Sequence, residues 1–346
     1  LNSSPQFKGI CVGAGYFSQF QYEAWGRIPE VAIVANCNRS PEKAEALARE
    51  SGIPKTYALS EFEEMLDIEK PDFVDLITPP ETHLALVRAT LERGITTICQ
   101  KPLAPTWDET REIVRLAGTS GARFMVHENW RWQPWYREIK RQLDAGAIGT
   151  PFHLNFCCRL GDGWGEDAYL DRQPFFRDYH RLFLFETGVH FLDTFRFLLG
   201  EIGSLYARTA RRNPVIKGED SALVICDHVG GATSVLDANR YNETGAQDPR
   251  FTFGTLRLEG SEGHLELGTD GRITRKPLGK PAAHLPFQPP QKGFAGDCVY
   301  ALQRHFTDCL LSGSPFESTA DDYLKSARLV ELAYESAAAG QSRQAV

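Results

Sequence analysis

The feature that most constrains this chain is an alternation that begins at residue 7 and holds to residue 126. Short apolar runs ("KGICVG", "VAIVANC", "DFVDLIT", "TTICQ", "ARFMVHE") alternate with segments whose apolar residues recur at helical spacing ("SQFQYEAWGRI", "SPEKAEALARESG", "ETHLALVRATLERG", "TWDETREIVRLAGTSG"). The second of these helices carries its own punctuation: Ser40 as N-cap, Pro41 at the first helical position and Gly52 just past the end. Strands separated by helices predict an α/β arrangement, a parallel sheet covered on both faces.

The first strand-to-helix junction adds chemistry to that frame. In "GICVGAGYFSQF", Gly13 and Gly15 follow the first strand and open the first helix. Glycines there permit a tight turn and let a pyrophosphate approach the helix N-terminus. Ser18 takes the third place of the G-x-G-x-x-G pattern, small enough for helix–strand packing. In its βαβ context the motif predicts a Rossmann domain that binds NAD or NADP. An acid at the end of the second strand would select NAD by repelling a 2′-phosphate. The chain has Asn38 and then Arg39, an arginine that pairs with phosphate, stacks on adenine or is simply solvated, so the residues leave the choice between NAD and NADP open.

Past residue 150 the texture changes. "PFHLNFCCRL", "SALVICDHV", "GATSVLDANRY", "FTFGTLRLEG", "GHLELGT" and "RITRK" read as strands, several in direct succession, which predicts an open, mostly antiparallel sheet. One helix is expected near 186–199, and "DCVYALQRHFTDCLLSG" and "DDYLKSARLVELAYESAAAG" close the chain as helices. The expected division is a dinucleotide domain over 1–126 and an α+β domain for substrate binding and oligomerisation over 127–346, its last helices packing back on the core.

A length of 346 residues accommodates two domains of ordinary size. The formal charge of −7 gives no general attraction to nucleic acid or anionic membrane. No apolar run reaches the roughly 18–20 residues a membrane span requires, and "LNSSPQFKG" lacks the basic-then-apolar pattern of a secretory signal. The eight cysteines include no C-x-x-C pair, and the adjacent Cys157 and Cys158 would point to opposite faces of a strand. They read as reduced core thiols of a cytoplasmic protein, with no metal site.

Two polar features stand out against this background. Lys101, in "TTICQKPLAPT", ends an apolar strand between Gln100 and Pro102. Glu186, His190 and Asp193 fall at i, i+4 and i+7, one stripe of the expected helix, opposite an apolar stripe of Val189, Leu192, Phe195 and Leu199. A strand-end lysine with a helical histidine and acids is a constellation suited to acid–base chemistry. Aromatic and basic residues cluster in "ENWRWQPWY" (Asn129, Trp130, Arg131, Trp132, Trp135, Tyr136) and in the loop-like "GDGWGEDAYLDRQPFFRDYHR" (Trp164, Tyr169, Arg172, Phe176, Arg177, Asp178, His180). Flat rings pack on sugar C–H edges while Arg, Asn and Asp bond hydroxyls, although interdomain packing uses the same residues.

Taken in order, "GAGYFS", "CNRSPEKA", "TPPETH", "CQKPLA", "ENWRWQP", "ETGVHFLD" and "LEGSEGHLEL" resemble the glucose–fructose oxidoreductase/inositol dehydrogenase (Gfo/Idh/MocA) family. The resemblance implies a Rossmann domain followed by an α+β domain whose open sheet face serves for dimer or tetramer assembly. It implies that Lys101 matches the lysine of an E-K-P motif, with Gln100 in place of the glutamate. It matches Glu186 and His190 to a catalytic Asp/His pair, and Asp193 to the acid that follows. By the same matching, Gly13, Gly15, Tyr16, Phe17, Asn38, Arg39, Thr78, Pro79, His83, Lys101 and Asn129 line the cofactor, with Pro134 in the motif beside it. Lys101, Arg131, His190 and Asp193, with Trp132, Trp164 and Arg177 of the aromatic and basic stretches, are the residues expected to face the substrate. The expected reaction is hydride transfer between NAD or NADP and a hydroxyl carbon of a monosaccharide or polyol, with a D-apiose-type pentose as the named candidate. His190 would act as base, Glu186 would hold its tautomer, relay the proton or bond the sugar, and Lys101 would stabilise the developing alkoxide. Two other classes fit the same motifs: transient oxidation with a tightly held NAD, as in a glycosidase or epimerase, and a non-catalytic dinucleotide sensor.

Overall fold

The alternating stretch folds as six parallel strands, β1 (Phe7–Val12), β2 (Val31–Asn38), β3 (Lys55–Ala58), β4 (Phe73–Leu76), β5 (Thr96–Gln100) and β6 (Phe124–His127), in the order β3-β2-β1-β4-β5-β6. Between them run α1 (Ser18–Trp25), α2 (Pro41–Ser51), α3 (Phe62–Glu69), α4 (His83–Glu92) and α5 (Trp107–Thr119). Every residue of β4 is buried, as are Ile10, Cys11 and Val12 of β1, which is why these strands read as unbroken apolar runs. The order reverses between β1 and β4, the point at which open α/β sheets take their ligands beyond the strand ends.

Helix α2 begins and ends where its sequence says, with Pro41 first and Gly52 left-handed at φ 69°. Ser40, however, gives no side-chain cap; its hydroxyl donates to Glu42 Oε2 at 2.9 Å. Helix α5 has the cap that α2 lacks: Thr106 Oγ1 accepts from the Glu109 N–H at 3.2 Å, a contact worth about 1 kcal/mol. Strand β3 and helix α3 escape a periodicity reading. The first is a four-residue edge strand without a buried residue, and the second is an acidic single-faced helix.

The computed structural model describes residues 5–345, which gather into two units. One reaches Asn129 and also contains Val299–Lys325; the other is Trp130–Cys298 with the chain from Ser326 onward. A reading in sequence order puts Val299–Lys325 with the second domain, whereas here it clusters with the first. In that first unit Phe306 lies 5.2 Å from Phe73 and 5.9 Å from Trp25, ring to ring, so a remote segment completes the core beneath α1.

The second unit starts with α6 (Pro134–Asp144), which leads into β7 (Pro151–Arg159); α7 (Val189–Leu199) follows, then β8 (Ile202–Ala210), β9 (Ser221–His228), β10 (Thr233–Asn239), β11 (Thr255–Gly260), β12 (Gly263–Leu267), β13 (Ile273–Pro277) and β14 (Ala283–His284). Helices α8 (Cys298–Ser312) and α9 (Ala320–Ala339) and the short β15 (Arg343–Gln344) complete the chain. The nine strands form one sheet, β14-β13-β12-β11-β7-β10-β9-β8-β15, with β10 parallel to β7 and the other neighbours antiparallel. The expected α/β plus open, mostly antiparallel α+β fold class is the one found. Burial alternates along β9 and β10, so one face of the sheet is packed and the other is not.

The helix expected over 186–199 needs correction. Phe183–Gly188 form a π-helical turn, and α7 begins only at Val189. The turn is anchored from outside: Glu219 accepts from the N–H groups of Leu182 (3.2 Å) and Leu184 (2.9 Å) and from the Tyr334 hydroxyl (2.5 Å). Helix α7 is also buried nearly all round, Val189 to Arg196 inclusive, so its polar stripe is no solvated face.

Candidate active site

The dinucleotide end of the first unit is built on backbone that only glycine can adopt. Gly13 sits at φ 118°, and a Cβ there would lie 2.7 Å from the Ile77 carbonyl oxygen. Its turn is thereby pressed against the loop after β4 that carries Thr78 and Pro79. Gly15 differs: it is exposed and nothing lies within 4 Å of a would-be Cβ, which leaves room for close approach. Ser18 is buried, its Oγ donating to the Gly15 carbonyl at 2.7 Å, and no side chain caps α1. An open backbone turn before an uncapped helix N-terminus fits a pyrophosphate. Tyr16 is exposed beside that turn and Phe17 half-buried, both against Phe20.

At the end of β2, Asn38 Nδ2 donates to the Ser40 carbonyl (3.1 Å), so its amino end is occupied, and Arg39 is exposed. Thr78 Oγ1 accepts from Thr82 at 2.7 Å, and Pro79 is exposed. His83 is fully buried and lies between two carbonyls, Thr78 O at 2.8 Å and Leu103 O at 3.0 Å. Burial holds its imidazole below the ordinary range, so as a neutral ring it donates to one of them at a time. It braces the backbone of two loops, the one after β4 and the one after β5. Lys101 is half-buried at the head of the second loop, and Asn129 is buried at the end of the first unit's opening stretch. The structure thus gathers Gly13, Thr78, His83 and Leu103 at the adjoining ends of β1, β4 and β5.

In the second unit His190 lies flat on Trp130, the ring centroids 4.5 Å apart and the planes within 2°. Trp130 is itself enclosed, with Phe191 at 4.7 Å and Phe253 at 4.4 Å. The imidazole plane is therefore fixed by packing. Asp193 is engaged on every side: Arg131 meets it in a bidentate pair (Nε–Oδ2 2.8 Å, Nη2–Oδ1 2.6 Å), Ser326 Oγ donates at 2.8 Å, and Arg196 Nη1 stands 3.6 Å away. With side chains 8% and 1% exposed, the Arg131–Asp193 pair is an internal brace between α7 and the turn before α6.

Glu186, half-buried in the π turn, accepts from the Thr187 hydroxyl at 2.7 Å and has Arg240 Nη1 at 3.8 Å. Arg240 went unread in the sequence. Fully enclosed, it donates to both oxygens of Asp162 (3.0 and 2.6 Å) and to Thr187 Oγ1 (3.2 Å), and its guanidinium lies about 5 Å over the rings of Tyr169 and Phe176. Burial opposes the Asp162 charge, but Arg240 and Arg172 outweigh it and hold the carboxyl below its ordinary range. One signal for Arg240 was available: Ser234, Leu236 and Ala238 face the core at period two, and residue 240 continues that parity.

The aromatic stretches divide. Trp135 and Tyr136 are wholly buried core residues, and Tyr169 and Phe176 join Ala168, Leu182 and Ile216 in a small cluster under the 161–181 loop. Trp132 is partly exposed with Arg137 stacked 3.6 Å from its ring centre; Trp164 is exposed, its Nε1 donating to Glu243 at 3.2 Å. Arg177 spends its N–H groups on the Ala168 (2.8 Å) and Glu166 carbonyls, holding the loop's own backbone. Asp178 pairs with Lys217 at the surface, and His180 is exposed. Among the described residues no group of three or more His, Cys, Asp or Glu side chains could hold a metal ion, and no helix is long and apolar enough to cross a membrane.

Comparison with known proteins agrees with this fold. Residues 7–128 match the oxidoreductase family with an NAD-binding Rossmann fold, and residues 136–266 match the GFO/IDH/MocA C-terminal domain. The chain is 34% identical to a D-apiose dehydrogenase of Rhizobium rhizogenes over 97% of both chains. It is also 34% identical to a D-apiose dehydrogenase of Paraburkholderia graminis, over 97% of this chain and 89% of that one. A solved oxidoreductase from Agrobacterium radiobacter, in complex with NAD+, L-tartaric acid and magnesium, superimposes with a TM-score of 0.89 at 32% identity, covering 98% of each chain. On the strength of its sequence, its two sheets and these relatives, the chain belongs to the GFO/IDH/MocA family of NAD-binding oxidoreductases.

Proposed function

We propose that this NAD-dependent sugar dehydrogenase takes D-apiose as its substrate, moving hydride from a hydroxyl-bearing carbon of the sugar to the cofactor. The observation that carries the choice of sugar is the match to two D-apiose dehydrogenases along 97% of the chain. NAD supplies the hydride acceptor when bound. The turn at Gly13–Gly15 and the start of α1 hold its pyrophosphate, and the amide carbonyl of Asn38 receives a ribose hydroxyl. Tyr16, Phe17, Arg39, Thr78, Pro79 and Asn129 line the dinucleotide, and His83 holds that lining in place.

In this reading His190 takes the proton of the reacting hydroxyl, since imidazole exchanges protons near neutral pH. Its stack on Trp130 fixes the ring plane, and the reading requires one ring nitrogen to be turned to the sugar hydroxyl. Lys101 donates a hydrogen bond to the same oxygen and offsets the alkoxide charge. Glu186 is the second proton acceptor, kept in register by Thr187 and Arg240. Trp132 and Trp164 offer partly exposed rings to the sugar. Arg131, Asp193 and Arg177 serve the substrate by holding the walls they brace.

Two coarser assignments accompany this one. The unpacked face of the nine-stranded sheet carries Tyr206, Ile225 and Val235 in register, with Leu223 alongside, and we assign it to self-association as a dimer or tetramer. All eight cysteines are free thiols, in keeping with the cytoplasm. A panel of D-apiose, other aldoses and cyclic polyols with NAD+ and NADP+, followed by nicotinamide absorbance, tests the central reading. D-apiose with NAD+ should lead every other pair in kcat/KM by at least about tenfold; a polyol ahead of D-apiose would reassign the substrate.

A further inference from the structure

In a doubly wound fold the sheet face beneath a helix is ordinarily apolar, and beneath α1 it is not. Asp75, in the middle of β4, is fully buried there, as is Gln21 of α1, and Gln100 at the end of β5 is almost so. Their bonds run in one direction. Trp25 Nε1 donates to Asp75 Oδ2 (2.8 Å), Gln21 Nε2 donates to both carboxylate oxygens (3.1 and 3.0 Å), and Gln100 Nε2 donates to Gln21 Oε1 (2.8 Å). An ionised carboxylate only accepts, so Asp75 dictates which end of the Gln21 amide faces it. The Gln21 carbonyl in turn dictates the orientation of Gln100, whose carbonyl end is left outside the relay.

The two ends of this relay matter. Helix α1 issues from the Gly13–Gly15 turn, and Gln100 is the residue before Lys101. An apolar side chain at 75 would fill the interface without the desolvation cost of a carboxylate. We propose that Asp75 is a positioning residue for hydride transfer: through Gln21 and Gln100 it fixes the end of β5 against α1, and with it the placement of Lys101 relative to the dinucleotide turn. The proposal rests on Lys101 being the group that stabilises the alkoxide.

Burial pushes the Asp75 carboxyl up to about 7, with the bonds from Trp25 and Gln21 pulling the other way. The titratable groups that face it are Cys11 of β1, Cys99 of β5 and Tyr22 of α1, all raised by burial and hence neutral around pH 8. Above its titration Asp75 is the charge of this interface among the described residues.

The test compares wild type with Asp75→Asn, Gln21→Met and the double variant at about pH 8.5, where Asp75 is ionised. Each single variant should lower kcat about tenfold while the NAD+ dissociation constant stays within about twofold. The double variant should be no worse than either single one, because links in series fail together. A readout independent of any sugar is the acylation rate of Lys101 in the NAD+-bound protein, measured by peptide mass spectrometry against exposed Lys43. It should change at least about twofold in all three variants, with Lys43 unaffected. Lys101 labelling equal to wild type throughout, or kcat losses that multiply in the double variant, would overturn the proposal. Wild type that oxidises no sugar would instead sink the dehydrogenase reading, and the labelling would still decide the relay.

Discussion

Deleting the Asp193 carboxylate tests how the interior around His190 is held. Asp193→Leu removes the acceptor of two Arg131 N–H groups, at 2.8 and 2.6 Å, and of the Ser326 hydroxyl at 2.8 Å. It also leaves the buried Arg131 and Arg196 guanidiniums without the anion set between them. Arg196 keeps Glu201, at 2.9 and 3.0 Å, so the loss falls mainly on Arg131. Breaking a buried pair from one side costs about 3–5 kcal/mol, and the full bidentate geometry places Asp193→Leu toward the upper end. Arg131→Met leaves Asp193 with Ser326 and Arg196 and should cost about 3 kcal/mol. The double variant Arg131→Met/Asp193→Leu removes both charges, and hydrophobic replacement of a whole pair is close to neutral. Urea denaturation of the four proteins should therefore give a coupling of about 7–8 kcal/mol, the summed cost of the two single variants set against a double variant near neutral. Costs that add to within about 0.5 kcal/mol would refute the view that these two side chains brace each other.

Other outcomes follow from the same structure. Lys101→Ala and His190→Ala should each lower turnover by at least about two decades while NAD+ still binds, read by steady-state kinetics beside a cofactor titration; near-normal turnover in either removes that residue from its role. Gly13→Ala forces a side chain into a left-handed backbone against the Ile77 carbonyl, and should weaken NAD+ binding about tenfold or more by fluorescence titration. Asp75 gives a stability signature with a definite sign. Burial pushes its folded carboxyl up to about 7 against an ordinary 3.8, so the native state binds the extra proton and the contribution of Asp75 to stability falls as pH rises from about 4 to 7. Asparagine has no such loss, so Asp75→Asn should gain on wild type by up to about 4 kcal/mol across that window, measured by denaturation at its two ends. A difference independent of pH contradicts it.

The first sheet was largely legible because a parallel sheet buried on both faces writes itself as apolar runs, and the Gly13–Gly15 turn because only glycine tolerates its backbone. What the sequence concealed were features set by distant partners. The π turn at Phe183–Gly188 is held by Glu219 and Tyr334, neither of which marks the local pattern. It displaced Glu186 from the regular helix that its spacing to His190 had suggested. The spacing puts Asp193 on one stripe with Glu186 and His190 but does not show that its oxygens meet Arg131 and Ser326, contacts across 62 and 133 residues. Asp75 lay in plain view in "DFVDLIT", an acid inside an apolar run, but its meaning needed Gln21 and Gln100 beside it.

The most direct test of the central claim is the product balance of purified protein given D-apiose and NAD+. One NADH should form for each sugar oxidised, sustained over many turnovers, with much slower reaction with NADP+. Tight NAD+ binding with no net NADH from D-apiose or any other sugar would contradict it.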